Sequence, residues 1–268
     1  MTAISLKGVS HTFETRKAKL RALDDIDLEI GENEFVTLVG RSGCGKSTLL
    51  RLMAGLLRPT VGRVEIGGHA VTRPRRDVSL MFQRSALLPW RTVIENVMLP
   101  VEILRLDRRP HRTRAEQLLA LTGLEGFEDR RPNELSGGMQ QRVALCRALV
   151  HDPSVLLMDE PFAALDALTR EELSLELQRI WGEERKTIVF VTHSIQEATL
   201  LADRIVVMSP RPGRIARLLT VGADRPRSLG VTAHSPELDR VGAELHELLF
   251  AREPTGLPLP LQEPSRDQ

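Results

Sequence analysis

Gly40-Arg41-Ser42-Gly43-Cys44-Gly45-Lys46-Ser47-Thr48 satisfies the spacing G-x-x-x-x-G-K-[ST] in full. The glycines let the backbone wrap closely, so that successive N–H groups point into one concavity and hold phosphate oxygens. Lys46 is placed to reach the outer phosphates, and Ser47 offers its hydroxyl to a magnesium ion. Phe35-Val36-Thr37-Leu38-Val39, just before the loop, reads as a buried strand. Lys46 to Ala54, with Leu49, Leu50, Leu52 and Met53, reads as a helix whose N-terminus faces the anion. A chance match in a glycine-containing turn would lack this flanking strand and helix. The stretch therefore predicts a phosphate-binding loop in an α/β sheet.

Composition narrows the field. The 268 residues are 41% hydrophobic and 27% charged, as in an ordinary globular protein of one large or two modest domains. The net charge of +1 supplies no basic field for nucleic acid. Tyrosine is absent and aromatics make up only 3%, which weakens any base-stacking surface. No apolar run approaches the ~18 residues of a membrane span, and no signal peptide is read at the start. Cys44 and Cys146 imply no disulfide framework, so a reducing cytoplasm is expected.

Working outward from the loop, Ile4 to Val9 and Ile26 to Ile30 alternate as half-buried antiparallel strands, with a charged loop from Glu14 to Lys19. Arg63 to Ile66 is a short strand turned by Gly67-Gly68, and Val78 to Phe82 is a buried one followed by Gln83. From Val93 to Leu124 the spacing becomes helical, and its basic run Arg105 to Arg114 reads as solvated helix faces and turns. A helix is expected over Val143 to Val150 and another over Leu168 to Trp181. Val155 to Asp159 and Thr187 to Thr192 are buried strands, ending at Glu160 and His193. Ser194 to Glu197 fits a capping box and predicts a helix directly behind the histidine. Arg204 to Ser209 and Arg214 to Leu219 read as a closing strand pair, and His234 to Phe250 as a last helix.

Four buried strands thus end in Gly40, Gln83, Asp159-Glu160 and His193. In an open α/β sheet, ligands bind beyond the carboxyl ends of the strands, so all four ends can converge on one nucleotide. Asp159 suits magnesium, a hard cation that keeps much of its water. Glu160 could accept a proton from an attacking water. The blander readings are two acids in a solvated turn, a structural histidine and an ordinary amide. Ser136-Gly137-Gly138 opens a helix and forms a second anion site. A second site serves a different copy of the nucleotide if two chains pair about a twofold axis, each Ser136 turn covering the other chain's phosphate loop.

With these motifs in order from about Ile4 to about Leu219, the chain resembles the nucleotide-binding subunit of ATP-binding cassette (ABC) transporters. Leu135-Ser136-Gly137-Gly138-Met139-Gln140 resembles the family's signature segment, and Ala164-Leu165-Asp166 its D-loop. Gln83 falls at the Q-loop position and His193 at the switch histidine. Met139 departs from the commonest residue, glutamine, and Phe13 stands where an adenine-stacking tyrosine is usual. Phe82 to Trp90, Pro161 to Arg170 and Ser209 to Arg214 resemble the nitrate/sulfonate/taurine importer branch.

The resemblance implies an α/β P-loop NTPase core with an N-terminal antiparallel β subdomain and an inserted α-helical subdomain. It places the cassette over residues 1–220, with the helical part at roughly 84–150, ahead of a helical extension over 221–252; Pro254, Pro258, Pro260 and Pro264 predict a disordered tail over 253–268. It implies an ATPase using ATP and Mg2+, with Gly40, Arg41, Ser42, Gly43, Cys44, Gly45, Lys46, Ser47 and Thr48 around the phosphates and Phe13 on the adenine. Ser47, Asp159 and Gln83 serve the metal, Glu160, His193 and Gln83 the chemistry, and Ser136, Gly137, Gly138 and Asp166 the dimer. The implied partners are a second copy of the chain, transmembrane permease subunits and, indirectly, a solute-binding protein, at the cytoplasmic face of the membrane. Two rivals fit less well. A soluble ABC ATPase acting on DNA or ribosomes would need a long coiled-coil insertion or tandem cassettes, and a P-loop kinase leaves Ser136-Gly137-Gly138 and Asp166 without work.

Overall fold

The computed structural model describes residues 2–14, 18–227 and 235–250. Its centre is a six-stranded sheet of β3 (Phe35–Gly40), β6 (Val78–Met81), β7 (Val155–Asp159), β8 (Thr187–Val191), β9 (Arg204–Met208) and β10 (Ile215–Thr220). The strand order is β10-β9-β3-β8-β7-β6, parallel except for β10. Both faces are covered, which is why the strands read as apolar runs. Alternate residues go to opposite layers. Leu156 and Met158 join one core with Phe190 and Trp181, whereas Val155 and Leu157 join a second with Leu49 and Leu52. Phe162 and Phe190 pack with ring centroids 5.7 Å apart, a contact worth about 1 kcal/mol beyond its buried area.

The N-terminal part is a four-stranded antiparallel sheet, in the order β2-β1-β4-β5, of β1 (Thr2–Glu14), β2 (Lys19–Gly31), β4 (Val61–Ile66) and β5 (His69–Ala70). In β2, Ile26, Leu28 and Ile30 are buried while Asp25, Asp27 and Glu29 face out. Strands β1 and β2 are much longer than expected, pairing out to Glu14 opposite Lys19. Polar residues at their far ends hide that pairing from a periodicity reading. Residues 15–17 of the expected loop lie outside the described residues.

Helix α1 (Lys46–Met53) follows the phosphate loop. The helical stretch from Val93 is three helices, α2 (Val93–Val97), α3 (Leu99–Leu104) and α4 (Arg108–Leu121). Local chemistry breaks it: Thr92 and Glu95 form a capping box, Pro100 stands in the first turn of α3, Arg105 ends that helix at φ 54°, and Asp107 caps α4. Helix α5 (Gly137–Leu149) opens at the Ser136-Gly137-Gly138 turn, as that stretch predicts, and runs unbroken into the helix expected from Val143, with Ser136 Oγ accepting the Met139 N–H. Helices α6 (Ala167–Glu184), α7 (Ile195–Leu201) and α8 (Pro236–Phe250) are the remaining α-helices among the described residues. The expected start of α8 at His234 and the tail over 253–268 lie outside the described residues.

The expected capping box at α7 is only half formed. Ser194 Oγ accepts the Glu197 N–H, but Glu197 turns its carboxylate to Thr192 Oγ1 instead of the cap. Helix α8 is held by an apolar cluster with α7 and β9, including Ala198, Ile205, Val241 and Leu245. Beside it, the buried Arg227 guanidinium donates to the carbonyls of Thr199, Ala202, Val221 and Ala223. Among the described residues, no helix is long and apolar enough to cross a membrane.

Candidate active site

The loop from Gly40 to Gly45 leaves the C-terminal end of β3, the middle of the sheet, and enters α1. Gly45 stands at the helix cap with φ 104°. A Cβ there would approach Leu23 Cδ2 at 2.6 Å and Ala22 O at 3.0 Å, so β2 backs the loop closely enough to demand glycine. Lys46 is 4% exposed, and its ammonium donates to the carbonyls of Gly40 (2.8 Å) and Arg41 (3.3 Å). The long cation is thereby folded against the loop it serves. Cys44 is buried in the same turn, with Sγ 3.8 Å from Lys46 Nζ.

Ser47 Oγ donates to Asp159 Oδ1 at 2.8 Å, bridging α1 and the end of β7. Two hard oxygens at this separation fit a magnesium ion, which takes one or two protein ligands and fills its octahedron with water and phosphate. Glu160 follows at φ 49°, a left-handed conformation costing a non-glycine residue roughly 1–2 kcal/mol, and its N–H donates to Val191 O at 3.1 Å. This bend turns its carboxylate toward the neighbouring strand end, where His193 Nε2 lies 2.5 Å from Glu160 Oε1. Behind them, Glu197 is buried and 3.7 Å from Arg170, which also donates to the carbonyls of Phe162 and Leu165. Burial pushes the Glu197 carboxyl above its usual range, against the opposing hydrogen bond from Thr192.

Phe13, Ser42, Gly43, Gly45, Lys46, Ser47, Thr48, Glu160 and His193 line one cavity of about 200 Å3. Segments from four parts of the chain meet there. Gln83 does not. It follows the edge strand β6, three places from β3, and with Gly137, Ala164 and Leu165 lines a separate cavity of about 800 Å3. Asp166 is an N-cap, accepting from Thr169 N and Thr169 Oγ1, and the Thr169 N–H holds its carboxyl below the usual range. Gly138 is pressed on the same helix, since a Cβ there would come within 2.7 Å of Thr169 Cγ2. Within one chain, then, the expected site residues fall into two groups, one around the phosphate loop and one around the Ser136 turn.

Three residues of the cavity, Leu20, Ala22 and Arg211, have no role assigned from the sequence, and Arg211 is the charged one. Arg211 lines it and donates from Nε (3.2 Å) and Nη2 (3.1 Å) to Gly43 O. Gly213 packs so tightly on the same loop that a Cβ would fall 2.0 Å from Cys44 O. The Ser209 to Arg214 turn therefore braces the phosphate loop. Its only visible signal was the Pro-Arg-Pro-Gly run.

A phosphate loop at the centre of a parallel sheet, with an acid pair and a histidine at the adjacent strand ends, defines a P-loop nucleotide-hydrolysing protein. Comparison with known proteins makes this specific. The profile of the family described as ABC transporter matches residues 23–163, more than half of the chain. A taurine import ATP-binding protein (TauB) of Burkholderia thailandensis is 44% identical over 92% of this chain and 95% of its own. A bicarbonate transport ATP-binding protein (CmpD) of Synechocystis is 43% identical, covering 84% of this chain and 80% of its own. A nitrate import ATP-binding protein (NrtD) of Synechococcus elongatus is 41% identical, covering 91% and 90%. Among solved structures, an ATP-binding cassette captured as a dimer in a post-hydrolysis state with ADP and phosphate superposes with a TM-score of 0.73 at 35% identity, covering 82% of this chain and all of that one. The chain belongs to the ABC transporter family, as an ATP-binding cassette, and is an ATPase of that class.

Proposed function

We propose that this chain powers uptake of a small anion, such as a sulfonate, taurine, nitrate or a related solute, by hydrolysing ATP beneath separate permease subunits. One observation carries the ATPase half of this reading: the phosphate loop, Glu160 and His193 share one cavity. The names of the relatives support the uptake half. ATP supplies the phosphoryl group, and Mg2+ on Ser47 and Asp159 would neutralise charge developing on it. Lys46 and the loop amides hold the phosphates, with Arg41, Ser42, Gly43, Cys44, Gly45 and Thr48 shaping the cradle from Gly40 onward. Phe13 offers its ring face to the base. Glu160 polarises the attacking water, and His193 orients that carboxylate and meets the terminal phosphate.

The separation of Ser136, Gly137, Gly138 and Asp166 from the phosphate loop supports their use on the partner copy's nucleotide in a twofold dimer. Gln83 lies on the larger cavity, between the metal strand and the helical part, and so reports to the permease. Trp90 is 69% exposed, which favours a partner contact over core packing. A solute-binding protein would deliver the anion on the far side, with the cassette peripheral to the cytoplasmic face. We assign the cassette to residues 1–220, with its helical part near 84–150, and the extension to 221–252. Uptake of labelled taurine, nitrate and bicarbonate by cells carrying the wild-type chain or Lys46→Ala tests this reading. One of the three should fall to background in the variant, and indifference of small-anion uptake to the variant would overturn it.

A further inference from the structure

Helix α5 carries the Ser136 turn at its start, yet its side chains reach two other motifs. Gln141 is 4% exposed, and its amide nitrogen donates to Gln83 O and to Pro161 O, both at 2.8 Å. Pro161 is the residue directly after Glu160. Two turns along the same helix, Arg147 donates to Ser85 O at 2.5 Å and Ala86 O at 2.9 Å. The segment after Gln83 is therefore fastened to α5 at three carbonyls. Among the described residues, the Gln141 bond to Pro161 connects this unit directly, through a side chain, to the residue following Glu160.

The chemistry of the joint is selective. One neutral nitrogen supplies two N–H donors to two carbonyls, which a glutamate of the same shape cannot do. Gln141 Oε1 is buried and has no hydrogen-bond partner among the described residues. Glu160 meanwhile holds a left-handed backbone conformation that its neighbours must impose.

We propose that Gln141 is a positioning residue that sets the Glu160 carboxylate by clamping the Pro161 carbonyl, and so ties hydrolysis to the placement of Gln83 and the Ser136 turn. This rests on Glu160 acting on the attacking water. Gln141→Met keeps the length and removes both donors. It should fold, with kcat for ATP reduced at least tenfold and KM within threefold of wild type, because the phosphate loop is untouched.

Gln141→Glu places a carboxylate against two carbonyls, which raises its pKa. Its kcat relative to wild type should recover as pH falls from 8 to 6, when the protonated acid regains one donor. A purely structural role would move the thermal transition with pH and leave kcat of the folded fraction unrecovered. A folded Gln141→Met with wild-type kcat, a joint change of kcat and KM, or a folded Gln141→Glu without acid recovery would overturn the proposal. Failure of both variants to fold would assign Gln141 to stability and overturn it as well. A wild-type rate in Glu160→Gln would instead overturn the role of Glu160 itself.

Discussion

His193 Nε2 lies 2.5 Å from Glu160 Oε1, joining the ends of β8 and β7 across the mouth of the nucleotide cavity. The two side chains differ in exposure, 45% for the histidine and 18% for the acid. The acid is thus the more withdrawn of the two from water. A carboxylate so placed keeps one oxygen for a water and gives the other to the ring, which fixes its orientation.

Glu160→Gln retains size and removes the carboxylate proposed as the base. Hydrolysis should fall by about 10²–10⁴-fold with ATP binding intact. If two copies close over two nucleotides, the variant should form an ATP-dependent dimer in light scattering, since a bound ligand stabilises the species that binds it. Adding Ser136→Arg should restore the monomer. A monomer in saturating ATP would contradict the dimer arrangement.

Lys46→Ala removes the ammonium that the Gly40 and Arg41 carbonyls hold in place. A charge-assisted bond to phosphate is worth roughly 1.5–3 kcal/mol, so ATP affinity should drop about 10- to 100-fold in a calorimetric titration. Wild-type affinity would remove the phosphate loop from the site.

Arg211→Ala frees Gly43 O and loosens the brace on the phosphate loop. We expect KM for ATP to rise several-fold with kcat little changed, because Glu160 and His193 do not touch the arginine. Steady-state kinetics decides this, and a fall in kcat at constant KM would contradict it.

Trp90→Ala alters an exposed side chain, and substitutions of that kind change stability by about 0.5 kcal/mol or less. The thermal transition and the ATPase rate of the isolated chain should stay as in wild type while solute uptake is lost. A collapsed transition would place Trp90 in a core contact instead.

The Cys146 thiol is fully buried, and burial pushes its pKa up to about 12. The native state keeps this proton where the unfolded chain releases it, so stability should decline as pH rises from about 9 toward 12. Cys146→Ala should flatten that part of a denaturation-versus-pH curve. Alkylation at pH 8 should spare Cys146, because so little thiolate forms. Cys44 is also buried, so its modification requires the loop to open, and ATP should slow it.

Much of the site was written locally. The glycine spacing before Lys46, the apolar strands ending at Asp159 and Thr192, and the helix opening at Ser136-Gly137-Gly138 are features of a few consecutive residues. Each acts through backbone conformation or a bond to the next turn, so the sequence alone determined them. It also determined the class, because those local features occur in one order. The capping box at Ser194 shows the limit of such reading. Its pattern is complete, yet Glu197 is drawn to Thr192.

Tertiary structure decided what lies beside what. On one side of β3 come β8, then β7, then β6 at the edge, and this puts His193 and Glu160 on the phosphate-loop cavity and Gln83 elsewhere. Arg211, Gln141 and Arg227 gained their places only there. Each binds backbone carbonyls far along the chain, at Gly43, Gln83 and Thr199 among others. Every residue has a carbonyl, so an acceptor of this kind leaves no trace in the sequence. Only packing selects which one the donor meets.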